Sequence, residues 1–377
     1  WRSVQLMESN FDMWYVAYNN TLISFTETWL KEASKEQSLQ EADQDFSITT
    51  FHSWFGKKYS KVFRRRGFPH VHGDSFLPDW EEIQNTLFNS SEDICKDFFS
   101  DRLVIDEGQD FSPDLYSLLG YMHIKVNLLV TVLMDENQRL DRVQNCTIDE
   151  MRSTFNLFAR EQTGGTNEQY LDEYALTNNY RNTKQIAKVA ALFYNGIQTQ
   201  IPKIPTKNGP KPSYKNFKGM DECVDFITNF ASTRASDTIG VIINSTATKR
   251  NRYFAKLQEK GELNGRVQTY AGRDDLGFLD LHAQGRITVL HMKSAKGLEF
   301  DTVFAVDLED LSLQGAELDN AKMDLYVLFS RPRQELFLCC SELTEGQLPD
   351  IFLRAEFQEL QQGLLDFDFD TDIKEEH

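Results

Sequence analysis

At 377 residues the chain is long enough for about two domains of ~150 residues each, and its 40% hydrophobic and 26% charged residues are those of a globular protein. No apolar run approaches the ~20 residues that span a bilayer, so no membrane segment is expected. The formal net charge of −18 excludes a protein that is basic over its whole surface, as wholesale phosphate binding would require, but it leaves room for a local basic stripe. The five cysteines include no Cys-x-x-Cys pair and are read as reduced thiols in a cytoplasmic protein, with Cys339 and Cys340 closing an apolar strand rather than ligating a metal.

In chain order, Met13–Tyr18 reads as a strand and Thr21–Lys35 as a helix, followed by a polar loop over 36–45. Phe46–Phe51 is a short strand leading into a helix whose Phe55, Tyr59 and Phe63 recur every four residues on one face. That stripe is read as core, and Lys57, Lys58, Lys61, Arg64, Arg65 and Arg66 around it as a solvent-facing or ligand-facing basic stretch. Leu103-Val104-Ile105 is apolar at every position, which suits a central parallel strand, and it runs straight into Asp106 and Glu107. A helix is expected over 113–123, and a second all-apolar strand over Asn127–Met134 ends in Asp135-Glu136.

Residues 161–169 are polar and contain glycine, and they mark a boundary between two domains. Beyond them a helix is expected over Thr183–Asn195, a Pro/Lys/Gly-rich loop over 202–213, and helices near 220–232 and 247–260. Strands are expected at Thr238–Asn244, Arg286–Leu290, Thr302–Val306 and Glu335–Cys340. Strands alternating with helices imply an α/β fold with mainly parallel sheets. The expected domains are 1–160, with a small helical insert near 56–100, then 161–345, then an acidic tail over 346–377.

Acids at the carboxyl end of a parallel strand stand where open α/β sheets bind ligands. In P-loop NTPases an Asp there helps to hold Mg²⁺ and a neighbouring residue orients the attacking water. The order of further motifs strengthens this reading. Asp106-Glu107-Gly108-Gln109-Asp110, Asp135-Glu136-Asn137-Gln138, Asn179-Tyr180-Arg181-Asn182-Thr183, His291 through Asp301 with Ser-Ala-Lys-Gly-Leu-Glu-Phe, and Leu325 through Arg333 follow one another. Tyr18-Asn19 and Thr50-Phe51-His52-Ser53-Trp54 precede them.

Together these motifs resemble those of superfamily 1 helicases of the UvrD/Rep type. The resemblance implies two RecA-like domains with an ATP cleft between them, and ATP with Mg²⁺ as cofactors. Within it Asp106 would hold Mg²⁺, Glu107 would activate water, Gln138 would sense the γ-phosphate, and Arg181 and Arg331 would reach phosphate, Arg331 as the arginine finger. Glu299, Gly297 and Gln109 would serve the nucleotide. Tyr18, Asn19, Thr50, His52, Lys57, Arg64, His291 and Lys293 would contact nucleic acid. Met134 stands where the family has Gly, and Val143 near the place of its base-stacking Trp.

No G-x-x-x-x-G-K-[ST] loop occurs in the sequence. In the family that loop precedes the segment resembling the start of this chain, so an upstream extension bearing it is expected, and the absence of its strand should leave two neighbours unpaired. The implied activity is an ATP-dependent translocase on single-stranded DNA, with RNA an open alternative. The short spans between motifs resemble compact members of the family, which implies a protein partner such as a nuclease and a place in antiviral defence. A different class remains open, a nucleotide-dependent switch or scaffold subunit that does not unwind.

Overall fold

Two parallel sheets organise the chain, one in each of two units that divide between Ala175 and Leu176. The computed structural model describes residues 13–18, 20, 22, 23, 26, 27, 46–74, 77–99, 102–139, 145–162, 172–194, 202–270, 279, 280, 283–311, 316–341, 343, 349, 352 and 363–367. The division falls later than the boundary expected at 160, and the segment 363–367 belongs to the second unit. Most of the helix expected over Thr21–Lys35 lies outside the described residues.

The first unit contains β1 (Met13–Ala17), β2 (Phe46–Thr50), α1 (Phe51–Phe63), α2 (Trp80–Phe88), α3 (Glu92–Phe98), β3 (Arg102–Asp106), α4 (Pro113–Val126), β4 (Leu129–Val132) and α5 (Ile148–Gln162). Its strands pair in the order β2-β1-β3-β4, all parallel. Leu103, Val104 and Ile105 are each 2% exposed or less, so β3 is buried on both faces as its uninterrupted apolar run predicts. One face packs on Phe55, Tyr59, Leu87, Phe98, Leu115 and Leu119, which confirms Phe55 and Tyr59 of the aromatic stripe as core.

Among the described residues the four strands close up with no internal gap. β1 and β3 bond to each other directly, and the unpaired outer sides fall on β2 and β4 among the described residues. For β4 this has a visible consequence. Its Leu129 is 41% exposed and the adjoining Leu133 is 45% exposed, although both belong to an all-apolar run.

The second unit contains α6 (Lys184–Leu192), β5 (Ser213–Phe217), α7 (Met220–Ser232), β6 (Ile239–Ile243), α8 (Ala247–Gln258), β7 (Val267–Thr269), β8 (Ile287–His291), a short α9 (Met292–Ala295), β9 (Phe300–Val306), α10 (Ala316–Phe329), β10 (Pro332–Ser341) and β11 (Asp366–Phe367). Its strands pair in the order β11-β5-β10-β9-β6-β8-β7, again all parallel. β6 is buried at every residue and sits near the middle, and Val241 and Ile243 join Phe304, Phe337 and Ile227 in one core. Cys339 and Cys340 lie in β10, and all five cysteines are buried thiols. Among the described residues no helix is long and apolar enough to cross a membrane.

The two units share one local device. β3 ends in Asp106, then Glu107 takes a left-handed φ of 53° before a 3-10 turn over Gly108–Asp110. β9 ends in Val306, then Asp307 takes a φ of 58° before a 3-10 turn over Leu308–Asp310. Each unit thus turns sharply at the carboxyl end of a buried strand and gathers acids there.

Candidate functional site

The left-handed backbone of Glu107 is a strained choice for a residue with a Cβ, costing roughly 1 kcal/mol. Packing against β4 fixes the turn. Gly108 N donates to Leu133 O at 2.8 Å, and Leu133 N donates to Ile105 O at 2.8 Å, which carries the ladder past the last residue of β4. A Cβ on Gly108 would lie 2.3 Å from Val132 Cγ1 and 2.8 Å from the Tyr116 hydroxyl, so only glycine fits. Tyr116 itself donates to Gly108 O at 2.6 Å.

This turn assembles a chain of polar contacts. Asp106 Oδ1 accepts from Glu107 N at 2.8 Å, and Asp106 Oδ2 accepts from the Tyr15 hydroxyl on β1. Burial and then the Asp106 charge push the Tyr15 phenol upward, so it stays a proton donor to that carboxylate. Gln109 Nε2 donates to Glu107 Oε2 at 2.5 Å, and Gln109 Oε1 accepts from Asp135 N at 3.0 Å. Asp135 in turn accepts from Gln138 Nε2 at 2.7 Å and Asn137 N at 3.0 Å. Asp106, Glu107, Gln109 and Gln138 are therefore brought together, through Asp135, at the carboxyl ends of two adjacent strands. Gln109 differs from its expected role: it is 0% exposed and fills its amide with Glu107 and Asp135, so it acts as a brace between the two strand ends rather than as a direct contact for a cofactor.

A second cluster lies at the amino ends of β9 and β10. Glu299 Oε1 accepts from Arg181 Nε at 2.5 Å, and its Oε2 accepts from Arg333 Nε at 3.0 Å. Burial alone would raise the Glu299 carboxyl, but the two guanidinium groups outweigh it and hold it below the usual carboxylate range. Only the Nε atoms are engaged; no described residue takes the terminal Nη atoms of Arg181 or Arg333. Two asparagines build the turn. Asn179 Oδ1 accepts from the backbone N of Arg181 at 3.1 Å and of Asn182 at 3.2 Å, and Asn182 Nδ2 donates to Ser330 O at 3.1 Å and Pro332 O at 2.6 Å. The Asn182 contacts tie the Arg181 turn to the strand start that carries Arg333.

Arg331, the expected arginine finger, is placed otherwise. It is 1% exposed and donates to Val327 O at 2.8 Å, Leu298 O at 3.4 Å and Ser330 Oγ at 3.0 Å. Its guanidinium satisfies the end of α10 and the turn before β9, because a buried cation must spread its donors over carbonyls. Arg333, two residues on, is the exposed one of the pair, and spacing alone could not separate them. Tyr180 was also without an assigned role, and it is 85% exposed beside Arg181. Gly297 is half-buried in the turn ahead of Glu299.

The expected nucleic-acid contacts are scattered by comparison. Tyr18 is 43% exposed, with its ring 5.7 Å from Phe111 and 6.3 Å from the half-buried His52. Thr50 is buried and caps α1 by accepting from Ser53 N at 3.4 Å. Lys57 and Arg64 are exposed on and just after that helix, and Asn19 lies outside the described residues. His291 caps α9 through Nδ1, accepting from Lys293 N at 3.3 Å. Burial lowers the His291 pKa, a hydrogen bond with the Ser245 backbone opposes this, and the Lys293 and Arg250 charges act with burial; Lys293 itself is exposed.

Among the described residues no group of three His, Cys, Asp or Glu is placed to hold a metal ion by itself. Mg²⁺ commonly takes one or two carboxylates together with waters and ligand phosphates. The half-buried Asp106 carboxylate, fixed by Tyr15 and the Glu107 amide, fits that donor set. The unengaged Nη atoms of the partly exposed Arg181 and Arg333 fit phosphate oxygens.

No family model and no curated protein matches the chain. Among solved structures it is similar to the C-terminal domain of a possible DNA helicase from Lactobacillus plantarum WCFS1, at 20% identity and a TM-score of 0.35, covering 50% of this chain and 98% of that one. It is also similar to T. fusca Cas3 with ATP, at 11% identity and a TM-score of 0.36, covering 93% of this chain and 42% of that one. Neither likeness is close enough to assign a function.

Proposed function

We propose that the chain is the motor part of an ATP-dependent translocase on single-stranded DNA, of the superfamily 1 UvrD/Rep type, with two RecA-like domains. The observation that carries this reading is the turn after β3. A strained Glu107 follows Asp106, and Gln109 braces it against Asp135 and hence Gln138.

In this reading Asp106 holds Mg²⁺, which supplies charge neutralisation for the phosphates of ATP. Glu107 takes a proton from the attacking water, and the Gln109 amide fixes the carboxylate that does so. Gln138, bonded to Asp135, changes partner when a phosphate is present. Arg181 and Arg333 offer Nη atoms to phosphate oxygens, with Glu299 keeping both side chains oriented. Tyr180 offers an exposed ring on which a base can stack. Tyr18, His52, Lys57, Arg64 and Lys293 serve the DNA.

The test is ATP hydrolysis by the full-length gene product, with and without single-stranded DNA. Stimulation by DNA, together with a loss of about 10²-fold or more in Glu107→Gln and unchanged nucleotide binding, is expected. Full turnover in Glu107→Gln would remove Glu107 from its role. Absence of hydrolysis with intact ATP binding would favour the second reading, a nucleotide-dependent switch that does not unwind, for which the burial of Arg331 is the supporting observation.

A further inference from the structure

Residues 174–220 contain no Asp or Glu, although the whole chain carries a formal charge of −18. The same stretch holds Arg181 and seven lysines. Six of these are exposed, and five of the six, Lys184, Lys188, Lys203, Lys207 and Lys211, gather around one helix and make no ion pair with a carboxylate among the described residues.

Backbone contacts bring together the segments that carry these lysines. Thr183 caps α6, which places Lys184 and Lys188 one turn apart on the same face. Residues 202–212 are laid against the start of that helix. Lys184 N donates to Lys207 O at 2.6 Å, and Lys203 N donates to Thr177 O at 2.7 Å. Gly209 N donates to the Gln185 side chain at 2.9 Å, and a Cβ on Gly209 would lie 2.4 Å from Thr183 Cγ2, so this approach requires glycine. Lys184, Lys188 and Lys211 consequently line one cleft together with Gln185 and Asn208.

Ammonium groups gathered in this way repel one another, and an anion that supplies the counter-charge relieves that cost. A single small anion could serve the cleft, but Lys203 and Lys207 extend the charge beyond its lining. Lys207 Nζ donates to Arg333 O at 3.2 Å and so carries its charge away from the cleft, and several phosphates on one flexible chain match lysines both inside and outside the cleft better than one anion does. Lysine also meets phosphate as a point charge, and phosphate contacts carry no sequence information. The basic stretch of the first unit is different. There Lys61 lies 3.9 Å from Asp97 and Arg65 lies 3.3 Å from Glu82, so part of its charge is already neutralised by its own helices.

We propose that the lysine surface built from α6 and residues 202–212 is a sequence-independent binding track for the backbone of single-stranded nucleic acid. The track uses none of the side chains assigned to the nucleotide, and it stands whether or not the protein hydrolyses ATP.

The test is fluorescence anisotropy with labelled oligo-dT and a mixed-sequence strand, between about 50 and 200 mM salt. The full-length protein is compared with a triple Lys184→Glu, Lys188→Glu, Lys211→Glu variant and with Lys57→Glu, Arg64→Glu in the first unit. A triple Lys→Gln variant replaces the first should charge reversal prevent folding. The track predicts at least tenfold weaker binding in the triple variant for both strands. It also predicts a salt slope shallower by about 2, since each lost phosphate contact removes about 0.7. Unchanged affinity and slope in the triple variant overturn the track, as does a loss confined to the first-unit variant. Binding of anionic vesicles without binding of either strand also overturns it, in favour of a membrane surface. Absence of ATP hydrolysis with a normal lysine-dependent salt slope overturns the motor reading and leaves the track intact.

Discussion

Arg331 and Arg333 stand two residues apart and have opposite surroundings, and this separates a stability role from a ligand role. Arg331 fills buried acceptors at Val327, Leu298 and Ser330. Arg331→Ala removes the guanidinium donors of Leu298 O and Ser330 Oγ, while Val327 O keeps Ser330 as a donor, and should cost about 2–4 kcal/mol in urea unfolding. Arg333 shares Glu299 with Arg181 at a half-exposed site. Its replacement by Ala should cost about 1 kcal/mol or less, because a solvated ion pair is worth little. Under the motor reading the same Arg333→Ala change should lower ATP turnover by about 10²-fold or more, as loss of a charge-stabilising donor does. Wild-type turnover in Arg333→Ala, alongside a folded but inactive Arg331→Lys, would return the phosphate role to Arg331.

Elements were legible in the sequence where the pattern of burial is local. β1, β3, β6, β8, β9 and β10 lie close to where their apolar runs place them, and the helices at 113–126, 184–192, 220–232 and 247–258 close to where periodicity does. β5 (Ser-Tyr-Lys-Asn-Phe) had no such run, because it buries only Tyr214 and Phe217, and it was hidden at the end of a Pro/Lys-rich loop. α5 and α10 were missed too, since Leu325–Phe329 is an apolar run that suits a strand or a buried helix equally. Periodicity also carries no information about partners, so the all-apolar run of β4 does not reveal that it is an edge strand among the described residues. Its tight approach to the Asp106 turn makes a sharp test. Gly108→Ala should destabilise by about 1–3 kcal/mol through overpacking against Val132 and Tyr116, and an unchanged urea midpoint would show that β4 is not held there.

The matching turn after β9 gives a pH prediction. Burial pushes the Glu309 carboxyl from 4.5 up to about 7, with Asp307 and Asp310 adding in the same direction. Between those two values the folded chain keeps a proton that the unfolded chain has lost. Stability therefore falls as pH rises through that window and levels off above it. Glu309→Gln, which is neutral throughout, should flatten this part of the curve in thermal melts. The same slope in variant and wild type would assign the titration elsewhere, with Asp324, pushed up to about 6 by burial, the next candidate.

At the scale of the molecule, charge and fold meet at the end of the second sheet. β11 pairs in parallel with β5, Asp366 N donates to Pro212 O at 2.9 Å, and Leu365 is 4% exposed. Gly363 and Leu364 line the same cleft as Lys184 and Lys211. The acidic tail is thus two things in sequence: a short segment built into the sheet, then residues 368–377 with five acids and one lysine. Two truncations separate them. Ending the chain after Gly363 removes a buried leucine and an edge strand, which is worth about 2 kcal/mol and should lower the melting temperature by a few degrees. Ending it after Phe367 keeps every one of those contacts and should leave the melting temperature unchanged. The second truncation also tests whether the acids act on the lysine surface. With no competition, affinity for single-stranded DNA at physiological salt stays constant. A gain of about tenfold that fades as salt is raised would instead show that the last ten residues occupy the track when nucleic acid does not.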